Sequence, residues 1–120
     1  LTNPFDSTHS LFPMDYIKST IRTNPIVIFG KSYCPYCIKA IRYIEQLGCP
    51  YVNINLDSKK KDSGVRNRRE DGAIIQSALK DLTGRSTVPN VFIGGKSIGG
   101  GDDTERLFKN GQLQQLVAEL

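Results

Sequence analysis

The chain is organised around one stretch, Lys31-Ser32-Tyr33-Cys34-Pro35-Tyr36-Cys37. These residues follow the apolar run Ile26–Phe29, which has the length and composition of a buried strand. They precede apolar residues at helical spacing, namely Ile38, Ala40, Ile41, Ile44 and Leu47. A C-x-x-C pair is therefore predicted where a strand ends and a helix begins. Pro35 suits the first helical turn, where its missing N–H costs nothing.

The first turn of a helix favours the ionised form of a cysteine. Its backbone N–H groups lack partners within the helix, and they form the positive end of the helix dipole. Lys31 adds a cation nearby. Cys34, at the exposed end, is therefore the predicted nucleophile. Cys37, one turn further in, is predicted to be more buried, less reactive and the resolving thiol.

Composition predicts one ordinary globular domain. The chain has 120 residues, of which 38% are hydrophobic and 23% charged, and its net charge is +4. No apolar run is long enough to span a membrane, and the first residues lack the pattern of a signal peptide. Three cysteines, two of them in C-x-x-C, do not make the framework of a secreted disulfide-rich protein. We therefore expect a reducing, cytoplasmic location, or an organelle if a targeting segment precedes Leu1.

Two segments lack a pattern that could bury a face. Residues 1–12 are predicted to be a flexible N-terminal arm that precedes a domain over 13–120. Within the domain, residues 57–71 hold three lysines, three arginines and a single aliphatic side chain, and are predicted to form a basic surface loop. The alternative is a docking patch for an acidic protein, membrane headgroups or nucleic acid. Because no aromatic residue interleaves with these charges to stack on bases, we expect no nucleic acid partner, and we expect no membrane partner either.

The remaining patterns give the element order α-β-α-β-α-β-β-α-α. The first two strands flank one helix and are predicted to be parallel, whereas Gly94-Gly95 joins the last two as an antiparallel hairpin. The third helix is predicted to start after Asp71 as its cap, and the fourth at Asp102, with Glu105 completing a capping box. The predicted fold class is α/β, a thioredoxin-like fold with a four-stranded mixed sheet flanked by helices on both faces.

Three motifs together resemble those of the dithiol glutaredoxins. They are Cys34-Pro35-Tyr36-Cys37 after a strand, Thr87-Val88-Pro89, and Gly99-Gly100 followed by Asp102-Asp103. The resemblance runs from about Met14 to Leu120. Thioredoxins usually carry Trp-Cys-Gly-Pro-Cys, whereas this chain has no tryptophan.

The resemblance implies a glutathione-dependent thiol–disulfide oxidoreductase that acts on protein–glutathione mixed disulfides and protein disulfides. Cys34 would attack the glutathionyl sulfur, and a second glutathione or Cys37 would then resolve the intermediate. The implied partners are glutathione or a related small thiol and glutathionylated or disulfide-containing proteins. The implied state is a monomer, and no metal is expected.

The resemblance also implies residues that bind glutathione. Lys31 and Gln76 match residues that hold the glycyl carboxylate, and Tyr36 lines the groove. A lysine complements that carboxylate by charge.

Backbone groups and a carboxylate pair would bind the rest of the molecule. Val88, before an expected cis-proline at Pro89, would pair through its backbone with the cysteinyl portion. Asp102 and Asp103 match the pair that receives the γ-glutamyl end. An aspartate beside a helix N-terminus complements its amine and its carboxylate.

Two other functions stay open from the sequence. A dimer could bridge an iron–sulfur cluster through one Cys34 per subunit and two glutathiones. Carriers of this kind tend to have Gly or Ser after that cysteine, so we expect Pro35 to hinder it. A structural zinc module would need four ligands, and only Cys49 and His9 could complete the set, neither at ligand spacing. Cys49 is otherwise interpreted as a packed or idle thiol.

Overall fold

The computed structural model describes residues 13–57 and 69–120. The predicted arm over 1–12 and residues 58–68 of the predicted basic loop lie outside the described residues. The helices are α1 (Pro13–Thr23), α2 (Pro35–Glu45), α3 (Arg69–Thr83), α4 (Gly101–Lys109) and α5 (Gln112–Ala118). The strands are β1 (Ile26–Gly30), β2 (Val52–Asn55), β3 (Asn90–Ile93) and β4 (Lys96–Gly99). The predicted element order is confirmed over the described part of the chain.

One mixed sheet of order β2-β1-β3-β4 organises these elements. β1 runs parallel to β2 and antiparallel to β3, and β3 and β4 form the predicted antiparallel hairpin. The carboxyl ends of β1 and β2 therefore meet at one edge of the sheet. The start of β3 lies at that same edge, because Phe29 pairs with Asn90. Three separate chain segments are brought together there.

Alternation along β1 divides the core into two layers. All five residues of β1 are buried, as predicted for a strand covered on both faces. Val27 and Phe29 pack with residues of α1 and α3 on one face of the sheet. Ile26 and Ile28 pack with residues of α2 and α5 on the other face. Successive side chains of a strand point to opposite faces, so one short strand anchors both helical layers.

The third helix begins earlier than the sequence predicts. α3 starts at Arg69, so residues 69–71 are helical rather than part of a loop, and Asp71 lies inside the first turn instead of capping it. Gly72 lies within α3 although glycine lowers intrinsic helix propensity. Packing explains why glycine occupies this position, because a Cβ at Gly72 would collide with the Leu56 carbonyl group just after β2.

The fourth helix is also capped differently from the prediction. α4 begins at Gly101 with Gly100 as its N-cap residue, not at Asp102. Asp103 supplies the acceptor, since its carboxylate receives the Gly100 N–H at 2.9 Å. Glu105 does not close a capping box and instead faces α2, where it accepts the Tyr43 hydroxyl at 2.8 Å.

No helix in the described part of the chain is both long enough and apolar enough to cross a bilayer.

Candidate active site

Cys34 is the N-cap residue of α2. Its backbone is extended, Pro35 follows at the first helical position as predicted, and the Cys34 Sγ accepts the Cys37 N–H at 3.3 Å. The Cys34 side chain is partly exposed, whereas Cys37 is only 2% exposed. The predicted difference in burial between the two thiols is therefore present.

Cys37 is packed against the end of β1. A Cβ at Gly30 would lie 2.9 Å from the Cys37 Sγ, so only glycine leaves room for the thiol. Burial and the side-chain hydrogen bond with Cys34 raise the pKa of Cys37, while the Lys31 N–H, 3.5 Å from its sulfur, partly opposes them. Cys37 consequently stays a neutral thiol near pH 7.

The segment before Cys34 is held by a carboxylate from the next strand. Asp57, just beyond β2, accepts the Ser32 N–H at 3.0 Å and the Ser32 hydroxyl at 2.7 Å. Partial burial raises the pKa of Asp57, but these hydrogen bonds from Ser32, together with the nearby charge of Lys31, lower it by more. Asp57 is therefore ionised near pH 7 and fastens the active-site loop to β2.

Lys31 and Gln76, which the resemblance assigns to the same carboxylate, lie together. They line a cavity of about 540 Å³ with Tyr33, Leu56, Asp57, Gly72 and Ala73. The Gln76 amide donates to the Ser86 carbonyl at 2.5 Å, which fixes the orientation of this side chain. Lys31 and Asp57 give the cavity one group of each charge.

Val88 and Pro89 lie beside Cys34. The peptide bond between them is cis, as the resemblance implies. The Val88 carbonyl oxygen is 3.9 Å from the Cys34 Sγ. The antiparallel pairing of β3 with β1 explains this approach, because Pro89 directly precedes β3.

The start of α4 closes the site beside Tyr36. A Cβ at Gly101 would lie 2.7 Å from the Tyr36 carbonyl oxygen, so glycine allows this close approach. The Tyr36 side chain remains 54% exposed and available to line a groove. The structure thus brings both members of the predicted acidic pair, Asp102 and Asp103, to the same end of the molecule as Cys34.

Both aspartates already have cationic partners. Asp102 is exposed and bonds to the Lys39 Nζ at 2.7 Å. Asp103 accepts from Arg85 at 3.1 Å and from Arg106 at 3.0 Å. The hydrogen bond from the Gly100 N–H contributes most to holding the pKa of Asp103 below its usual value, and the two arginines contribute less. The site is therefore less acidic in net charge than the sequence suggests.

Lys39 is a functional candidate that sequence reasoning missed. Its Nζ lies 2.7 Å from Asp102, 3.1 Å from Glu105 and 5.5 Å from the centre of the Tyr36 ring. These contacts tie α2 to α4. Nothing local marked this lysine, because its two carboxylate partners, Asp102 and Glu105, are more than sixty residues away in sequence.

Asp57 and Arg85 were missed as well, although each carried a weak signal. Asp57 follows the second of two parallel strands, and parallel carboxyl ends share one edge of a sheet. Arg85 lies two residues before the Thr87-Val88-Pro89 motif. Proximity to a motif indicates a residue's neighbourhood but not its partner.

Within residues 13–57 and 69–120, no group of three or more His, Cys, Asp or Glu residues could hold a metal ion. His9, one candidate of the zinc alternative, lies outside the described residues. Cys49 packs beside the core layer under α2, with its sulfur 3.8 Å from the Leu47 carbonyl oxygen.

Comparisons with known proteins agree with this geometry. The glutaredoxin family model matches residues 26–98, from the start of β1 into β4. Rice glutaredoxin-C6 is 44% identical over 85% of this chain and 82% of its own length, and Arabidopsis thaliana glutaredoxin-C4 is 47% identical over 86% and 69%. The crystal structure of a buckwheat glutaredoxin–glutathione complex superimposes with a TM-score of 0.79 at 36% identity and covers 94% of each chain.

Proposed function

The chain belongs to the glutaredoxin family and is a thiol–disulfide oxidoreductase that uses glutathione, and we propose that it reduces protein–glutathione mixed disulfides with Cys34 as nucleophile. The assignment of the nucleophile and resolving roles to Cys34 and Cys37 rests on one observation. The partly exposed Cys34 sulfur caps α2 and accepts the Cys37 N–H, whereas Cys37 is buried and its pKa is raised. Only one sulfur of the pair is open to attack a disulfide.

In the first half-reaction, the Cys34 thiolate attacks the glutathionyl sulfur of the mixed disulfide. A new disulfide joins Cys34 to glutathione, the original S–S bond breaks, and the protein substrate leaves as a thiolate that takes a proton from solvent. The Cys37 N–H and the helix dipole stabilise the thiolate of Cys34 before attack and again when it is the leaving group.

The second half-reaction regenerates Cys34. A second glutathione thiolate attacks the glutathionyl sulfur, which yields oxidised glutathione and returns the electron pair to Cys34. Alternatively, Cys37 loses its proton and attacks the Cys34 sulfur, which releases glutathione and forms the Cys34–Cys37 disulfide. Because its raised pKa leaves little of Cys37 as the thiolate near pH 7, we propose free glutathione as the main resolving thiol.

Glutathione would lie across the two sides of Cys34. Lys31 and Gln76 in the 540 Å³ cavity would bind the glycyl carboxylate, and Tyr36 would form the wall beside it. The exposed backbone of Val88 at Pro89, close to the Cys34 sulfur, would pair with the cysteinyl portion.

The γ-glutamyl group would reach the start of α4. The amide groups there would bind its carboxylate, and Asp102 and Asp103 would bind its amine. The ion pairs of both aspartates with Lys39 and Arg85 would have to accommodate that amine.

Partners and location follow from this chemistry. We propose glutathionylated and disulfide-containing proteins as substrates, a monomer as the working state, and the cytoplasm as the compartment. A plastid is the alternative compartment, since one rice relative, 41% identical over 88% of this chain, is named glutaredoxin-C4, chloroplastic. For the domain, we propose one catalytic unit over 13–120 preceded by a flexible arm.

The dithiol pair and the glutathione complex of a solved relative favour the oxidoreductase over the iron–sulfur alternative.

A coupled assay tests the proposed function. Wild type, Cys34→Ser and Cys37→Ser are compared in the reduction of a glutathionylated peptide by glutathione. We expect Cys34→Ser to be inactive and Cys37→Ser to keep most of the activity, because free glutathione can replace Cys37 as resolving thiol. Equal loss in Cys37→Ser would mean that resolution is intramolecular. An inactive wild type would overturn the proposed function.

A further inference from the structure

Arg85 connects two segments that are distant in sequence. One guanidinium nitrogen donates to the Thr87 hydroxyl at 3.0 Å, and another donates to the Asp103 carboxylate at 3.1 Å. The side chain also lies directly over Gly100, where an added Cβ would be 2.7 Å from the guanidinium nitrogen. Arg85 therefore fills the space between the loop before β3 and the start of α4.

The two segments are the walls of the proposed glutathione groove. Thr87 begins the segment that carries Val88, whose carbonyl oxygen is 3.9 Å from the Cys34 sulfur. Asp103 belongs to the first turn of α4, which packs on Tyr36 through Gly101. The backbone hydrogen bonds of the sheet hold β3 and β4, but they do not fix the loop before β3 to the first turn of α4.

A guanidinium is suited to such a connection. Its donors form a rigid planar fork, so two acceptors on different segments are held at a fixed separation. Lysine would keep the charge but presents it as a point on a flexible stem. Both Arg85 and Asp103 are about one-third exposed, so the contact is partly shielded from solvent.

Arg106 provides an internal comparison. It binds the other oxygen of the same Asp103 carboxylate at 3.0 Å, three residues along α4. It therefore contributes a similar charge to Asp103 without reaching the loop before β3. If only the charge beside Asp103 mattered for glutathione binding, replacing either arginine should have a similar effect. If the bridge to Thr87 matters, only replacing Arg85 should weaken binding.

We infer that Arg85 is a positioning residue that sets the spacing between the two walls of the glutathione groove, an inference that rests on the proposed function. It does not touch the reacting sulfurs. Its loss should therefore weaken the binding of the glutathionyl group and leave the sulfur chemistry of Cys34 unchanged.

Steady-state kinetics with a glutathionylated peptide test this inference. In Arg85→Gln we expect KM for the peptide to rise roughly fivefold or more, as for the loss of one charge-assisted hydrogen bond, while kcat stays within about twofold. Arg85→Lys should resemble Arg85→Gln, because the charge remains but the fork is lost. Arg106→Gln, the matched control, should leave KM near the wild-type value.

A double-mutant cycle separates bridging from a general loss of structure. Thr87→Val removes the other acceptor of the bridge, so its KM increase should not add to that of Arg85→Gln. Thermal unfolding of each variant checks that the fold is kept. Equal KM values in Arg85→Gln and Arg106→Gln, or additive effects in the cycle, would overturn the inference. An inactive wild type would instead reject the proposed function, so the two failures are distinguishable.

Discussion

At the active-site loop, a single carboxylate holds the residue that comes two positions before Cys34. Asp57 receives both the N–H and the hydroxyl of Ser32, and it lies just beyond the neighbouring parallel strand β2. The loop carries Lys31 as well, so this contact also determines where the cation lies relative to the thiols. Its energetic contribution is open to direct measurement.

Replacing Asp57 should loosen this loop. In Asp57→Asn, we expect the free energy of unfolding to fall by about 1 kcal/mol, because charge-assisted hydrogen bonds become weaker ones. Ser32→Ala, which loses only the hydroxyl bond, should lose about half as much. Urea unfolding measures both changes, and wild-type stability in Asp57→Asn would contradict the proposed fastening.

Between elements, the contact of α2 with α4 rests on a cluster around Glu105. Glu105 accepts from the Tyr43 hydroxyl at 2.8 Å, from Lys39 at 3.1 Å and from Lys109 at 3.3 Å. These partners, with the Tyr43 hydrogen bond first, lower the pKa of Glu105 to about 2. The cluster lies beside Asp102, so it also supports one end of the proposed groove.

The pKa of Glu105 predicts a loss of stability in acid. The folded value is below the ordinary value of 4.5, so the unfolded chain binds the proton more readily, and stability rises with pH across this interval. The contribution should be complete above about pH 4.5 and should disappear as the pH falls towards about 2.

Thermal unfolding across this pH interval should distinguish Glu105→Gln from wild type. The variant should be less stable than wild type near neutral pH, and the difference should shrink on acidification. Glu119→Gln, at the exposed end of α5, is the control and should follow the wild-type curve. A difference that stays constant with pH would contradict the assignment to Glu105.

The start of α4 shows why element boundaries are harder to predict than elements. Asp102 and Glu105 have the spacing of a capping box, but Asp103 satisfies the cap because it lies three residues after Gly100. The sequence alone does not show which of these two acidic pairings caps α4, because that depends on which face of α4 packs against α2. The early start of α3 has a similar cause, since the packing of Gly72 on Leu56 depends on where β2 ends.

Across the whole molecule, β1 links two separate core layers. Ile28 is fully buried among residues of α2 and α5, and Phe29 is fully buried against α1 and α3. The apolar run Ile26–Phe29 is therefore at the centre of the folded structure. The same isoleucine-to-valine substitution should therefore lower the free energy of unfolding more in β1 than at an exposed isoleucine.

Removing one methylene from β1 should destabilise the protein. In Ile28→Val, we expect a loss of about 1 kcal/mol in the free energy of unfolding, because a small cavity opens in a closely packed layer. Ile38→Val is the matched control on α2, where the side chain is 42% exposed, and it should change stability little. Urea unfolding that ranks the two variants equally would contradict the central position of β1.

The fold could be predicted from the sequence because its information is local. The apolar run of β1, the helical spacing after Cys37 and the turn at Gly94-Gly95 each depend on nearby residues. Lys31 and Gln76 could be paired only through a family resemblance. The contacts of Lys39, Arg85 and Asp57 could not be predicted, because each one depends on the order of strands and on helix faces rather than on a local pattern.

Trapping the intermediate tests whether Cys34 is the residue that takes glutathione. Cys37→Ser is incubated with the glutathionylated peptide, digested without reductant and analysed by mass spectrometry. We predict one glutathione on the peptide that contains Cys34, its release by excess glutathione, and no adduct in Cys34→Ser. Glutathione on Cys49 instead, or no adduct in a protein that still reduces the peptide, would contradict the account.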